Sequence, residues 1–518
     1  MPVIDHTPYG NRLRGDLDLS GIAAVISSET EHRERITRYF TYWRTYHGQH
    51  WRQNTNVKVL SVNYSRALAD LLVAWLMKEG FAITIPEDPA TPYTDKTERE
   101  FVKAALDDQW EKNQRELWGM ECGQMGSVSG DVFVRPSWDE EGAEGPFVRV
   151  ELIPPQYCFP EFGGLSGADR KKMTKFTIVF PRYTDEGGIR LFGMRRTRVR
   201  WDAEVWTKDF VQYWEGKTLR ETKPNPLGEI PIIHIPNLPV AGEFYGLSDM
   251  VDIVDLQEEL DAKGTDISSV INYHGSPVTV LYGASIGELE QGADRVWSAP
   301  VDARIENLSL SGELDAALAY FMNIKNAMFE MVGIPPNALG KEQAISNTSA
   351  AALAIQYLPM TTRRKLKALL YGAGLKSVNR MILKILELKD PAFSKKFSAL
   401  RTATPVEARN KLYRTKVSFP TPFPRDEAME LANAEKKLGL GLTTKKRVLV
   451  DMGVGDQDAE RIVNDALEER IIDAQLENAG TLGYEEEEPS GNPSPNQPNP
   501  VVQGEIVSAK ATPPTSGA

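Results

Sequence analysis

FYGLSDMVDIVDLQEELDAKGTDISSVINYHGSP, running from Phe244 to Pro277, and GIPPNALGKEQAISNTSA, from Gly333 to Ala350, are the two segments on which the reading of this chain turns. In the first, Leu247, Met250, Val251 and Val254 fall at i, i+3, i+4 and i+7, which predicts an amphipathic helix starting behind Gly246 and Ser248. Its other face is acidic, carrying Asp249, Asp252, Asp255, Glu258, Glu259 and Asp261. Helix is expected to end near Tyr273, with a turn at His274–Pro277 and a strand over 278–282. A second helix follows Ser311–Gly312, keeping Leu314, Leu318, Phe321, Met328 and Val332 on one face. After the polar loop a third, very long helix runs from Ala350 to about Leu388, and Pro359, which lacks an N–H, is expected to kink it. The first two helices span about 40 Å and about 30 Å at 1.5 Å per residue. Joined only at their tips, they suit side-by-side packing between copies. A loop of about fifteen polar residues exceeds what a helix connection needs, which favours a functional loop.

Upstream, the first 25 residues or so show little periodicity and read as a loose arm. A helix from Ser28 or Thr30 carries Tyr39, Phe40, Tyr42 and Trp43 and stops at Gly48. A second follows Asn63, burying Leu68, Leu71, Leu72, Trp75 and Leu76, with Gly80 as its left-handed stop. A third, capped near Thr94 or Asp95, carries Phe101, Ala105, Trp110 and Leu117 as far as Met125. From Gly130 the period becomes two. Segments 131–135, 147–152, 176–182, 189–194, 198–206, 210–214 and 230–235, separated by turn residues such as Asp185-Glu186-Gly187-Gly188, predict one antiparallel sheet. Fold class is therefore α+β. Downstream, Val417–Phe419 reads as one short strand, followed by helices over 425–438, 443–451 and 456–478. The acidic, then Pro/Asn/Ser-rich tail after Tyr484 has no core-forming pattern.

Composition narrows the classes. A chain of 518 residues, 41% hydrophobic, holds a large core and two to four domains at the usual ~100–200 residues each. A net charge of −12 spread along the chain argues against static binding of nucleic acid through a basic surface. The two cysteines, Cys122 and Cys158, have no metal-ligand spacing and fit a reducing compartment. The N-terminus has no signal-peptide pattern, and the longest apolar run, broken by Asp70, is too short to cross a bilayer. No membrane association is expected.

Catalytic signatures are missing. Gly340-Lys341 is the nearest approach to a P-loop, but Gly333 lies too far back and Glu342 stands where a hydroxyl is needed. Gly439-Leu440-Gly441 and Gly453-Val454-Gly455 read as helix stops. His47 and His50 lack a third metal ligand. Acidic pairs such as Asp107-Asp108 read as solvated faces. No enzyme activity and no cofactor are expected.

The order of elements, together with NYSRALADLLVAWLMKEGFAI (Asn63–Ile83), SGDVFVRPSWDE (Ser129–Glu140), the segment Ile235–Pro277, MFEMVGIPPNALG (Met328–Gly340) and ISNTSAAALAIQYLPM (Ile345–Met360), resembles the portal, or head-to-tail connector, proteins of tailed bacteriophages of the siphovirus-like kind. The resemblance covers about 25–480. It implies a portal fold: flexible arm 1–25, α+β wing 26–242, stem helices 243–271 and 313–333, small α/β clip 272–312, tunnel loop 334–349, kinked helix 350–390, wing return 391–424, helical crown 425–483 and disordered tail 484–518. It further implies a homo-oligomeric ring of twelve at one capsid vertex of the virion, made in the bacterial host cytoplasm. Double-stranded DNA would pass through it without sequence recognition during packaging and ejection. The terminase large subunit and a head-tail adaptor would dock on it, with the major capsid and scaffolding proteins around it. In the tunnel loop Asn337, Lys341, Gln343, Ser346, Asn347 and Thr348 would face DNA, with the acidic stem face of Asp249, Asp252, Asp255, Glu258 and Glu259 and the kink at Pro359 behind them. A channel that lets a duplex slide must not grip phosphates, because each contact adds salt-dependent affinity. The rival readings are a nucleic-acid processing enzyme, which needs a metal or nucleotide site, and a non-viral oligomeric scaffold.

Overall fold

The computed structural model describes residues 29–49, 60–86, 93, 96–163, 172–185, 197–275, 279–282, 304–307, 314–339, 355–420, 427–451 and 456–481. Two compact units divide the chain at Pro422 and Phe423.

The first unit opens with α1 (Glu29–Tyr46) and α2 (Tyr64–Met77). Asn63 caps α2 by accepting from the Arg66 N–H at 3.0 Å, while its own amide donates to Tyr46 O, so the cap also ties the two helices together. Gly80, at φ +66°, stops α2 in the left-handed conformation expected there. Strand β1 (Ala82–Thr84) follows, then α3 (Lys96–Lys112) and α4 (Arg115–Ser129). The single helix expected over this stretch is broken at Gln114, whose φ is +53°. Asn113 explains the break: its side chain donates to Val148 O at 2.8 Å and accepts from the Val150 N–H at 2.8 Å, recruiting the chain to a strand edge.

Two antiparallel sheets replace the single one expected. The smaller has the order β3 (Phe147–Ile153), β2 (Asp131–Asp139), β9 (Ile233–Pro236). The larger is a meander of β4 (Cys158–Phe162), β5 (Met173–Asp185), β6 (Thr197–Thr207), β7 (Phe210–Glu215) and β8 (Thr218–Pro224). The expected strand over 189–194 lies outside the described residues.

Helix α5 (Val254–Gly275) leads to β10 (Thr279–Tyr282), which pairs antiparallel with β11 (Arg304–Asn307), and α6 (Leu314–Val332) follows. After a 3-10 turn at Pro336–Leu339 come α7 (Leu358–Lys389), α8 (Pro391–Ala403), a 3-10 segment at Val406–Tyr413 and β12 (Lys416–Ser418), which pairs with β1. α7 buries Tyr371, Leu375, Val378, Met381 and Ile382 against α3, α4 and the smaller sheet. Fully burying each such side chain contributes roughly 1.5–3 kcal/mol. Trp110, wholly buried, keeps its indole N–H satisfied by donating to Asn379 Oδ1 at 2.8 Å. A second core joins α1 and α2 to α5 and α6 through Trp43, Leu68, Leu72, Leu260, Met328 and Val332.

The second unit contains α9 (Glu427–Gly439), α10 (Lys445–Asp451) and α11 (Asp456–Thr481), close to the three helices expected.

Candidate functional site

Helices α5 and α6 lie side by side and meet the β10–β11 pair at their shared end. Gly264 of α5 faces the Phe321 ring of α6, with 3.4 Å, an ordinary contact distance, from its would-be Cβ to the ring. α5 begins at Val254, later than the start expected behind Gly246 and Ser248. The intervening backbone is committed elsewhere. Ser248 Oγ donates to Ser127 O (3.0 Å) and Val128 O (2.6 Å), and the Asp249 N–H donates to Ser127 O.

The acidic face expected on this helix divides in two. Asp252, Asp255 and Glu258 are exposed and Glu259 is half-buried, so these four do form an acidic surface. Asp249 and Asp261 do not belong to it, being 1% and 2% exposed. Asp249 accepts from Ser127 Oγ at 2.7 Å, from Arg363 Nη2 at 2.8 Å and from Lys367 Nζ. Burial alone would push its carboxyl up. The charges of Lys367 and Arg363, with the hydrogen bonds of Lys367 and Ser127, outweigh that and hold it below the usual carboxylate range. Asp261 accepts from the Val62 N–H, Ser61 Oγ and Gln257 Nε2, and Gln257 Oε1 accepts from the Ser65 N–H and Oγ. These two side chains lace α5 to the segment leading into α2.

Above α5 the chain enters from β9, and a second polar hub fixes that approach. Asp131 accepts from Tyr39 OH at 2.6 Å and from the Gly246 N–H at 2.7 Å, and His234 Nε2 lies 2.7 Å from the same carboxylate. The His234 ring stacks between Phe133 and Phe244. Arg35, itself buried, donates to Pro155 O and Cys158 O and lies over the Tyr245 ring at 4.6 Å. Backbones cross here with no room to spare: a Cβ on Gly246 would stand 2.4 Å from Gly130 O.

The end of α6 meets the start of α7. Gly333, at φ +75° where α6 stops, lies against Pro359, with 3.1 Å from its would-be Cβ to Pro359 Cβ. Pro359 stands in the first turn of α7, where its missing N–H costs nothing. Ile355 and Gln356 are helical and Tyr357 is a turn, so the break falls just before the proline. One turn further on, Arg364 Nε donates to Trp75 O at 2.9 Å, and its Nη2 reaches Pro420 O. Arg363, Arg364 and Lys367 thus fasten the first turns of α7 to the foot of α5, to α2 and to the segment after β12. Of the loop residues singled out in the sequence, Asn337 falls in the 3-10 turn, while Lys341, Gln343, Ser346, Asn347 and Thr348 lie outside the described residues. Sequence reasoning gave no sign of Arg363 and Lys367. They belong to a run of four cations, Arg363, Arg364, Lys365 and Lys367, and nothing local marks which of them turn inward.

Both cysteines are buried and unpaired, and burial pushes the Cys122 thiol up. His47 stacks on Trp43 and is half-buried, while His50 lies outside the described residues. Among the described residues no three His, Cys, Asp or Glu side chains come together as metal ligands, and no helix is long and apolar enough to cross a membrane.

Residues 27–469 match the family model described as phage portal protein, SPP1 Gp6-like. No curated protein matches the sequence significantly. Among solved structures, a chain from the virion of a native gene transfer agent particle is similar, at 10% identity and a TM-score of 0.43, covering 80% of this chain and 93% of its own.

Proposed function

The chain belongs to the SPP1 Gp6-like phage portal protein family, and from that premise we propose that twelve copies close into a ring around a passage for double-stranded DNA at one vertex of the capsid. Residues 26–242 form the wing in this reading, 243–271 and 313–333 the stem, 272–312 the clip, 334–349 the tunnel loop and 425–483 the crown. DNA enters through the ring during packaging and leaves through it at ejection, without its sequence being read. The clip docks the terminase large subunit and afterwards the head-tail adaptor, while the wing faces the major capsid and scaffolding proteins.

The observation that carries this reading is the meeting of Gly333 with Pro359. It brings the residue where α6 stops against the first turn of α7, whose Arg363 reaches Asp249 in the approach to α5, a stretch that exposes Asp252, Asp255 and Glu258. A wall of that charge offers a sliding duplex no deep electrostatic well. Asn337, Gln343, Ser346, Asn347 and Thr348 supply neutral groups that touch phosphate oxygens without reading bases, and Lys341 is offset by Glu342.

The test is a phage carrying a deletion of residues 341–348. Rings are expected to assemble as in wild type, at about 690 kDa for twelve copies of 57.8 kDa, while DNA packaging or retention fails. Normal packaging and retention by the deletion phage would remove the loop from this role.

A further inference from the structure

Between the two sheets and the last turns of α7 lies a cleft of about 430 Å³, a size common among ligand sites. Three half-buried aromatic side chains line it: Trp138 at the end of β2, Trp206 on β6 and Tyr213 on β7. Pro224, Pro226 and Pro231 stand beside them, with Leu227 and, from α7, Ile385 and Leu388. Strand register gathers part of this wall. Glu204 lies opposite Tyr213, and Val211 lies opposite both Trp206 and Lys223, so these side chains share one face of the larger sheet. Asn225 fixes the turn that follows β8. Its Nδ2 donates to Thr207 O at 2.8 Å and to Glu229 O at 2.9 Å, and its Oδ1 accepts from the Leu227 N–H at 3.2 Å. The cleft is therefore formed before anything enters it, which lowers the cost of binding.

The polar groups of the wall divide into those already used and those still open. Arg135 donates to Glu204 and Glu151, Trp206 Nε1 donates to Glu204 at 3.1 Å, and Lys223 pairs with Glu221 at 3.1 Å. Lys389 and Glu140, both exposed, are of opposite sign, so the cleft favours neither sign of ion. Trp138 Nε1 and Tyr213 OH, by contrast, have no hydrogen-bond partner among the described residues. Burial, with Glu204 beside it, pushes the Tyr213 phenol up, so it keeps its proton and can donate. A fitting ligand is uncharged, lays flat apolar groups on the rings and brings acceptors to two donors. An alkyl chain has no acceptors, and a helix or hairpin has spent most of its carbonyls internally. A polyproline II segment has the rings, and its carbonyls have no internal partner.

We propose that this cleft binds an uncharged, proline-rich extended segment of a partner protein, its proline rings laid on Trp138, Trp206 and Tyr213 and its carbonyls accepting from Trp138 Nε1 and Tyr213 OH. The binding needs only one copy of the chain and holds whether or not copies close into a ring.

The probe is fluorescein-labelled decaproline, with a Gly/Ser peptide of the same length as control. Fluorescence polarisation is read on the full-length chain and on a chain ended at Gly483, with thermal melting of every variant as the folding control. Saturable binding of decaproline by both chains, and none of the control peptide, is the expected result. Leu388→Glu, at a side chain already 49% exposed, puts a charge into the cleft and is expected to weaken binding at least tenfold at unchanged melting. Leu219→Glu, at another exposed leucine on β8 but outside the cleft, is expected to change nothing. Trp138→Phe and Tyr213→Phe keep a ring and remove a donor, and each is expected to weaken binding about threefold to tenfold. Absence of saturable decaproline binding by both chains, or binding that Leu388→Glu leaves intact, overturns the proposal. Binding that appears only in the chain ended at Gly483 would assign the cleft to the uncharged stretch Pro489–Pro500 of the chain itself and overturn the choice of a partner.

Discussion

Arg363 on α7 holds Asp249 at the foot of α5 through two hydrogen bonds to one carboxylate oxygen, 2.8 Å from Nη2 and 3.1 Å from Nε, across 114 residues of sequence. Lys367, one turn along, takes the other oxygen inside the protein. Removing one partner of a buried pair leaves an uncompensated charge and costs about 3–5 kcal/mol, whereas a hydrophobic replacement of both is often nearly neutral. Asp249→Asn is therefore expected to lose about that much in urea unfolding. Asp249→Leu combined with Lys367→Met is expected to recover part of it, because Arg363, left without its carboxylate, is partly exposed and the wholly buried cation is gone. A double variant as unstable as Asp249→Asn would show that the site needs its charges for something other than mutual neutralisation.

His32 makes stability depend on pH. Burial, with the neighbouring Arg35 charge, lowers its pKa to about 4, against 6.5 when unfolded. A depressed folded value means that the unfolded chain takes up the proton first. The stability is then fully present above pH 6.5 and is lost as pH falls toward 4, by about 3 kcal/mol at most from a shift of that size. His32→Gln, which keeps an acceptor near the Arg35 Nη2 now 3.2 Å from His32 Nδ1, is expected to flatten the urea midpoint between pH 6.5 and 4. An unchanged slope in the variant would exclude His32 as its source.

Where backbones cross, a methyl group is too much. Gly246→Ala puts a carbon 2.4 Å from Gly130 O and 2.9 Å from Asn237 N. Overpacking costs about 1–3 kcal/mol and more where backbone is what must move, so the melting temperature is expected to drop by several degrees. Gly439→Ala is the control, since a Cβ there meets nothing within 4 Å. Equal melting of the two variants would refute the close-packing account.

The exposed acids at the start of α5 and just before it are expected to keep DNA loose. Reversing Asp252, Asp255 and Glu258 to lysine should give assembled protein that retains duplex DNA, with a binding constant falling as a power of salt concentration. Binding by the reversed protein that is weak and salt-independent would show that this surface does not meet DNA.

Much of the fold was legible because apolar spacing is local. α2, α6, α9 and the strands β2, β3, β6 and β7 announce themselves by period. β4 contains Pro160, and every residue of β8 is exposed, so neither carries the alternation of a half-buried strand. The α3–α4 break was hidden because a glutamine, not a glycine, adopts the left-handed turn, and what compels it is Asn113 reaching a distant strand. Asp249 reads as one more acid on an acidic helix. Its partners are more than a hundred residues away, and no local pattern reports them. The acidic surface itself was legible in Asp252, Asp255 and Glu258, which need no partner to define their place.

The pairing of β1 with β12, three residues against three from Ala82↔Ser418 to Thr84↔Lys416, fixes when this protein becomes a protein at all. Tyr93 OH, donating to Leu412 O, and Trp110, donating to Asn379, make the same demand. The strand that emerges early from the ribosome waits for one made more than three hundred residues later, and until then the apolar faces of α2, α3 and α4 lack their cover. Long-range pairing of that kind is slow to close and exposes the chain to aggregation meanwhile. A subunit whose first layer is completed only by β12, the last strand among the described residues, cannot offer a finished surface to its neighbours while translation continues, so assembly is confined to chains that have been made to the end of the first unit.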